Sequence, residues 1–190
     1  MTACCSNATV EFLAEVLRTG GVVGYPTEAV MGLGCDPCNE AAVRRICHLK
    51  VRSVSQGLLL IAADFGQIAG FLDLRGISEG RLREVTETWP GPHTWVFPRS
   101  EHVPSWVSGT RGGIAVRVTA HPPAMALCRA FGGALVSTSA NPSGEPPAVN
   151  TEQLKRYFGR ALDGVLDAPV GTLNRPTVIR DAITGQVMRA

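Results

Sequence analysis

Apolar residues along this chain fall into short blocks whose spacing changes from one block to the next. In residues 8–19, Val10, Leu13 and Leu17 recur every three to four positions with Phe12 and Val16 beside them, and Gly20-Gly21 follows. That period predicts an amphipathic helix closed by glycine. "VVGYP" predicts a short strand ending at Pro26, and "NEAAVRRICHLK" a helix capped by Asn39 with Val43, Ile46 and Cys47 inward. "GLLLIA" is a buried strand, and residues 64–71 and 78–88 have helical spacing. "HTWVFP" follows the tight "WPGP" turn as a strand, and "GIAVRV" alternates as a strand does. Residues 122–130 predict a helix with prolines in its first turn, "ALVSTS" a strand, and 151–158 a helix. "GVLDAP", "TVIRD" and "QVMRA" predict closing strands, the last two joined by a hairpin at "AITG". Interleaved strands and helices that end in a hairpin predict an α/β domain with a mixed sheet and flanking helices.

The chain has 190 residues, 45% of them hydrophobic, which is enough for one well-filled core. A single domain over 1–190 is expected, with residues 1–7 frayed; no repeat, low-complexity tract or linker interrupts it. A net charge of +2 lies far from the profile of a dedicated nucleic-acid binder. No apolar run approaches the length of a membrane span. "MTACCSNATVEF" lacks the basic patch and apolar stretch of a signal peptide. Six cysteines without such a signal suggest reduced thiols, so a cytoplasmic location and no membrane partner are expected.

Candidate chemistry gathers at the ends of these elements. In "LVSTSANPSG" an apolar strand runs into Ser137, Thr138, Ser139 and Asn141, more neutral hydrogen-bonding side chains than a turn needs. In "YPTEAVMGLGCD", Thr27 and Glu28 follow Pro26, and Gly32 and Gly34 let the backbone approach something closely; a helix cap with a glycine loop explains the same pattern. "HLKVRSVSQG" carries Lys50 and Arg52 just past a helix end. With Arg44 and Arg45 they form a positive field suited to phosphates or carboxylates, although cations there also satisfy the helix dipole. Thr94 stands at a strand mouth, and Arg117 is a strand arginine of the kind found more often in an ion pair than on a ligand. Glu28 is the nearest acid or base to these groups. Walker A and dinucleotide fingerprints are absent, and no nucleophile-elbow pattern supports a Ser-His-Asp triad. Cys35, Cys38, Cys47 and His48 are zinc-type ligands, but Cys47 and His48 are helix neighbours about 100° apart and Cys47 falls on the apolar face. No protein metal site is therefore expected.

Together, "GYPTEAVMGLGCDP", "LKVRS", "WPGPHTWVFP", "IAVRVTAHP", "STSANPSG" and "TVIRDAITGQVMR" resemble the YrdC/TsaC family of threonylcarbamoyl-AMP synthases, over about residues 8–190 and at the length of its short bacterial form. The resemblance implies a twisted sheet around a large, positively charged concave cavity, as in YrdC and RibB. It implies an enzyme that condenses L-threonine, bicarbonate and ATP, with Mg²⁺ carried on the nucleotide, into L-threonylcarbamoyladenylate and pyrophosphate. The product would serve N6-threonylcarbamoylation of adenosine 37 in ANN-decoding tRNAs through a downstream transferase complex, with tRNA itself a further partner. By matching positions, Lys50 and Arg52 become the catalytic basic pair facing phosphate and carboxylate groups, and Thr27 and Arg117 the threonine and bicarbonate contacts. Thr94, Ser137, Ser139, Asn141, Thr177 and Arg189 join Lys50 and Arg52 in binding the nucleotide. Gln56 stands where many relatives have a cation or asparagine, and Gly57 where proline is frequent. Two other functions fit the same features: an RNA-binding or ribosome-maturation module, and a carbamoyl-adenylate enzyme using carbamoyl phosphate.

Overall fold

Ser6 opens the first helix, α1 (Asn7–Arg18), its hydroxyl accepting from the Thr9 amide as an N-cap. Ser6 and Asn7, expected to be frayed, therefore belong to the helix start. The computed structural model describes residues 6–174 and 177–189; Cys4, Cys5 and Ala190 lie outside them. After α1 come β1 (Val23–Pro26), β2 (Met31–Gly34), α2 (Glu40–Leu49), β3 (Leu59–Ala62), α3 (Gly66–Ala69) and α4 (Glu79–Glu87). The chain continues through β4 (His93–Pro98), α5 (Ser105–Ser108), β5 (Gly113–Val118), α6 (Pro122–Phe131), β6 (Leu135–Ser139) and α7 (Thr151–Phe158). Strands β7 (Gly164–Val165), β8 (Val178–Asp181) and β9 (Val187–Arg189) complete it.

Among the described residues these strands form one mixed sheet in the order β7-β1-β2-β6-β3-β5-β4-β8-β9. The pairs β1/β7, β3/β5 and β4/β8 are parallel and the others antiparallel, as the interleaved pattern predicts. Four local expectations change. Strand β2 occupies the stretch read as a glycine loop, because its glycines are what allow it to pair. A Cβ on Gly34 would lie 2.6 Å from the Tyr25 ring and 2.8 Å from the Val136 carbonyl. The strand expected over "GVLDAP" is confined to Gly164–Val165, which pair with Val23 and Gly24 of β1. The helix expected over 64–71 shrinks to Gly66–Ala69, with glycine at both ends. The one-turn α5 has no periodic signal to announce it.

Each face of the sheet receives its own layer. Leu60 and Val136 point toward α2, whose Val43 and Ile46 are fully buried against them. The alternate positions Ile61 and Leu135 point the other way, toward Leu13 and Leu17 of α1 and Leu127 of α6. Each such fully buried side chain contributes about 1.5–3 kcal/mol. Leu59 faces the same side as Ile61 but is only partly buried, and the cavity begins there.

Candidate active site

The floor of the cavity is one row across four adjacent strands. Sheet register sets Ser137 (β6) beside Leu59 (β3), Leu59 beside Ala115 (β5), and Ala115 beside Val96 (β4). All four line a cavity of about 510 Å³, within the usual size of small-molecule sites. Arg52, Arg111, Arg117 and Arg189 also line it, and among the described residues no aspartate or glutamate does.

One wall is the connection between β1 and β2. The Thr27 hydroxyl donates to the Val30 carbonyl at 2.7 Å, so its lone pairs are what it can offer a ligand. Glu28 is buried beside it. One carboxylate oxygen accepts from the Thr119 hydroxyl at 2.6 Å, and the other stands 3.3 Å from Nη1 of Arg117. The same Nη1 donates to the Thr177 hydroxyl at 3.1 Å, which in turn lies 3.1 Å from the Thr94 hydroxyl. Arg117 is thus both the ion-pairing arginine its strand setting suggests and a cavity-lining residue.

A second wall is built at the end of α2. Asn39 caps the start of that helix, accepting from the Ala42 amide at 3.0 Å. At its other end the Val51 amide donates to the His48 carbonyl and the Arg52 amide to the Cys47 carbonyl, a Schellman closure. Its left-handed position, φ +51°, is filled by Val51 rather than by glycine. That reversal sends Lys50 inward and Arg52 to the cavity. The Lys50 ammonium donates to the Ser139 carbonyl, to the Asn141 carbonyl at 2.9 Å and to Asn141 Oδ1 at 3.1 Å. Burial, reinforced by the nearby Arg52 charge, lowers its pKa to about 8. Asn141 Oδ1 also accepts from the Ser139 hydroxyl at 2.6 Å, while Nδ2 donates to the Glu145 carbonyl at 2.7 Å. Lys50 and Asn141 therefore shape the hydroxyl loop from behind.

Residues 15–190 match the Sua5/YciO/YrdC family, described as telomere recombination. The chain belongs to this family. A threonylcarbamoyl-AMP synthase of Halorhodospira halophila is 53% identical over 180 residues, covering 95% of this chain and 93% of its own. The one of Stenotrophomonas maltophilia is 50% identical over 182 residues, covering 96% of this chain and 98% of its own. Among solved structures, P. abyssi Sua5 complexed with L-threonine has a TM-score of 0.86 at 28% identity, covering 93% of this chain. It covers 51% of that one, so this chain spans about half the length of P. abyssi Sua5.

Within this Sua5/YciO/YrdC fold, Thr27, Arg52, Arg117, Ser137, Ser139, Thr177 and Arg189 meet on the cavity. Lys50, Thr94 and Asn141 do not line it; each is hydrogen-bonded to a residue that does. Gln56 and Gly57 line the cavity too, and Gly57 has φ +67°, which a proline ring cannot adopt. Thr138 and Arg111 are lining residues outside the expected set. Thr138 sits inside the hydroxyl run that drew attention to its neighbours, whereas Arg111 belongs to a loop with no motif. Cys35 and Cys47 are buried and Cys38 exposed, and no group of three or more His, Cys, Asp or Glu side chains assembles among the described residues. No helix there is long and apolar enough to cross a membrane.

Proposed function

We propose that this protein is an L-threonylcarbamoyladenylate synthase, a nucleotidyltransferase that joins L-threonine, bicarbonate and ATP and releases pyrophosphate. The observation that carries the reading is the convergence of Thr27, Arg52, Arg117, Ser137, Ser139, Thr177 and Arg189, from distant parts of the chain, on one cavity. The near-full-length relatives named threonylcarbamoyl-AMP synthase support it, as does the L-threonine held by P. abyssi Sua5.

In this reading the unprotonated amine of threonine attacks bicarbonate and, with loss of water, gives a carbamate. A carbamate oxygen attacks the α-phosphorus of ATP, the bond from α-phosphorus to the bridging oxygen breaks, and pyrophosphate leaves with the electron pair. Two anions must approach each other, so the protein's share is to position them and to place donors and cations around the developing charge. Thr27 presents lone pairs to the amine. Arg117 meets the carboxylate of threonine while Glu28 holds the guanidinium in place. Ser137 supplies a neutral donor to phosphate oxygens, Ser139 would do so by turning its hydroxyl away from Asn141, and Arg52 and Arg189 supply charge. Glu28 is committed to Thr119 and Arg117, so no free carboxylate among the described cavity residues suits Mg²⁺. The ion, carried with ATP, would take its ligands from phosphate oxygens and water. The adenylate would then pass to a transferase complex that modifies adenosine 37 of ANN-decoding tRNAs.

The test is incubation with ATP, Mg²⁺, bicarbonate and single amino acids, following pyrophosphate release and the mass of the adenylate. Release that requires both threonine and bicarbonate is expected. Release indifferent to either would refute the proposal.

A further inference from the structure

Tyr25 of β1 is fully buried, and its hydroxyl is the polar tip of an otherwise apolar core position. Its side chain packs with Ile61 and Leu135, on the face of the sheet where Ser137 lines the cavity. Strand β2 lies between the two residues: Gly32 pairs with Tyr25 on one side and with Ser139 of β6 on the other. Neighbouring strands are about 4.8 Å apart, so the β1 and β6 backbones are about 10 Å apart. A long side chain laid flat across β2 is needed to bridge them.

Gly32 and Gly34 clear the way for it. A Cβ on Gly34 would lie 2.6 Å from Cε1 of Tyr25, and one on Gly32 would lie 3.5 Å from its Cζ. The ring therefore lies over the glycines, and its hydroxyl comes within hydrogen-bonding reach of the Ser137 side chain. The Val136 carbonyl is also near the phenol, at a long 3.5 Å. Burial pushes the phenol pKa up, so the group keeps its proton and has one hydrogen to donate. With the carbonyl that far, the acceptor left for this hydrogen is the Ser137 oxygen.

Ser137 and Ser139 differ in what they have left to give. The Ser139 hydroxyl donates to Asn141 Oδ1 at 2.6 Å. The Ser137 hydroxyl has Tyr25 beside it and no other side-chain partner among the described residues. We propose that Tyr25 is a positioning residue for Ser137: its hydroxyl donates to Ser137 Oγ and so leaves the serine's own hydrogen aimed into the cavity, ready for a ligand oxygen. This rests on the adenylate-forming reading above, in which Ser137 serves the phosphate oxygens of ATP, and deepens it. The two glycines of β2 then have a task beyond pairing, since they give the ring its path to the next strand.

The test is a double-mutant cycle of Y25F, S137A and Y25F/S137A. Y25F removes one oxygen and keeps the ring in the core, and circular dichroism checks that each variant is folded at the assay temperature. The cycle is read in kcat/KM for ATP from pyrophosphate release and, separately, in ATP affinity by calorimetry without threonine. Y25F should lower both about 3–10-fold, and S137A by at least as much. In the S137A background Y25F should cost less than about 2-fold, because the hydroxyl it orients is gone. An equal loss from Y25F with and without Ser137 would make the phenol a core residue only and overturn the positioning role, as would no loss from Y25F or from S137A. Threonine-dependent release by wild type would leave the enzymatic reading standing in those cases. Coupling in ATP affinity without any release by wild type would keep the positioning role and overturn that reading. A wild type that neither binds ATP nor releases pyrophosphate would overturn the two together.

Discussion

Replacing Lys50 with methionine separates a holding role from a ligand-facing one. The lysine is 5% exposed and donates to two backbone carbonyls and one amide oxygen of the Ser139–Asn141 turn. Methionine keeps most of the stem's volume and donates nothing, leaving those carbonyls without their donor. A hydrogen bond from a charged donor contributes about 1.5–3 kcal/mol, part of it offset by the cost of burying the ammonium, so the net loss is about 2–4 kcal/mol. For a chain of this size about 1 kcal/mol moves Tm by about 2–4 °C, so K50M should melt roughly 4–16 °C lower. The pH dependence gives a second signature. An unfolded lysine keeps its proton up to 10.5, and the folded Lys50 releases it at about 8. Between those values the unfolded chain binds the extra proton, so Lys50 makes the fold more stable as pH rises. Thermal unfolding by circular dichroism should therefore show wild type gaining on K50M from pH 8 to 10.5, with a constant difference below pH 8. Pyrophosphate release, measured well below both midpoints, should also fall, because Ser139 loses its anchor. An unchanged Tm with a raised KM for ATP would put the ammonium on the ligand and refute the holding role.

Glu28→Gln leaves the Arg117 charge buried without its counter-ion and should destabilise the protein by about 3–5 kcal/mol in urea unfolding, with part recovered in E28Q/R117M. Thr27→Val removes the hydroxyl that the proposed reading sets against the threonine amine and should raise the KM for threonine about 2–10-fold with the KM for ATP unchanged. Equal effects on both substrates would reassign that residue. Val51→Gly relieves a branched side chain at φ +51° and should stabilise the fold by about 0.5–1 kcal/mol, seen as a Tm rise of about 1–4 °C, without altering turnover.

"GIAVRV", read from its alternation, and "HTWVFP", read from the tight turn before it, coincide with β5 and β4 to the residue. Periodicity misses β2 because Met31-Gly32-Leu33-Gly34 alternates with hydrogen where strands usually carry side chains. The site divides in the same way. Residues inside motifs, such as Ser139 and Thr27, were legible by type and spacing. Which way each one points was not, because orientation depends on a backbone reversal. A left-handed Val51 turns Lys50 inward and Arg52 outward from one short "LKVRS" segment. Arg111 was invisible for another reason. Its place comes from two loops brought together at Gly57 and Gly109, and single-sequence spacing does not reveal which loops meet.

Strand β9 gives the cavity Met188 and Arg189, yet it lies at the rim of the sheet, bonded to β8 alone, with all three of its residues exposed. A strand attached along one side unzips at a small fraction of the global unfolding free energy. Each unzipping removes an arginine from the cavity wall, so a ligand that touches Arg189 would bind the zipped form preferentially. Amide protons of residues 187–189 should consequently trade with deuterium quickly in the free protein and slow down as the cavity fills, which would make the sheet's outermost strand a built-in gauge of occupancy.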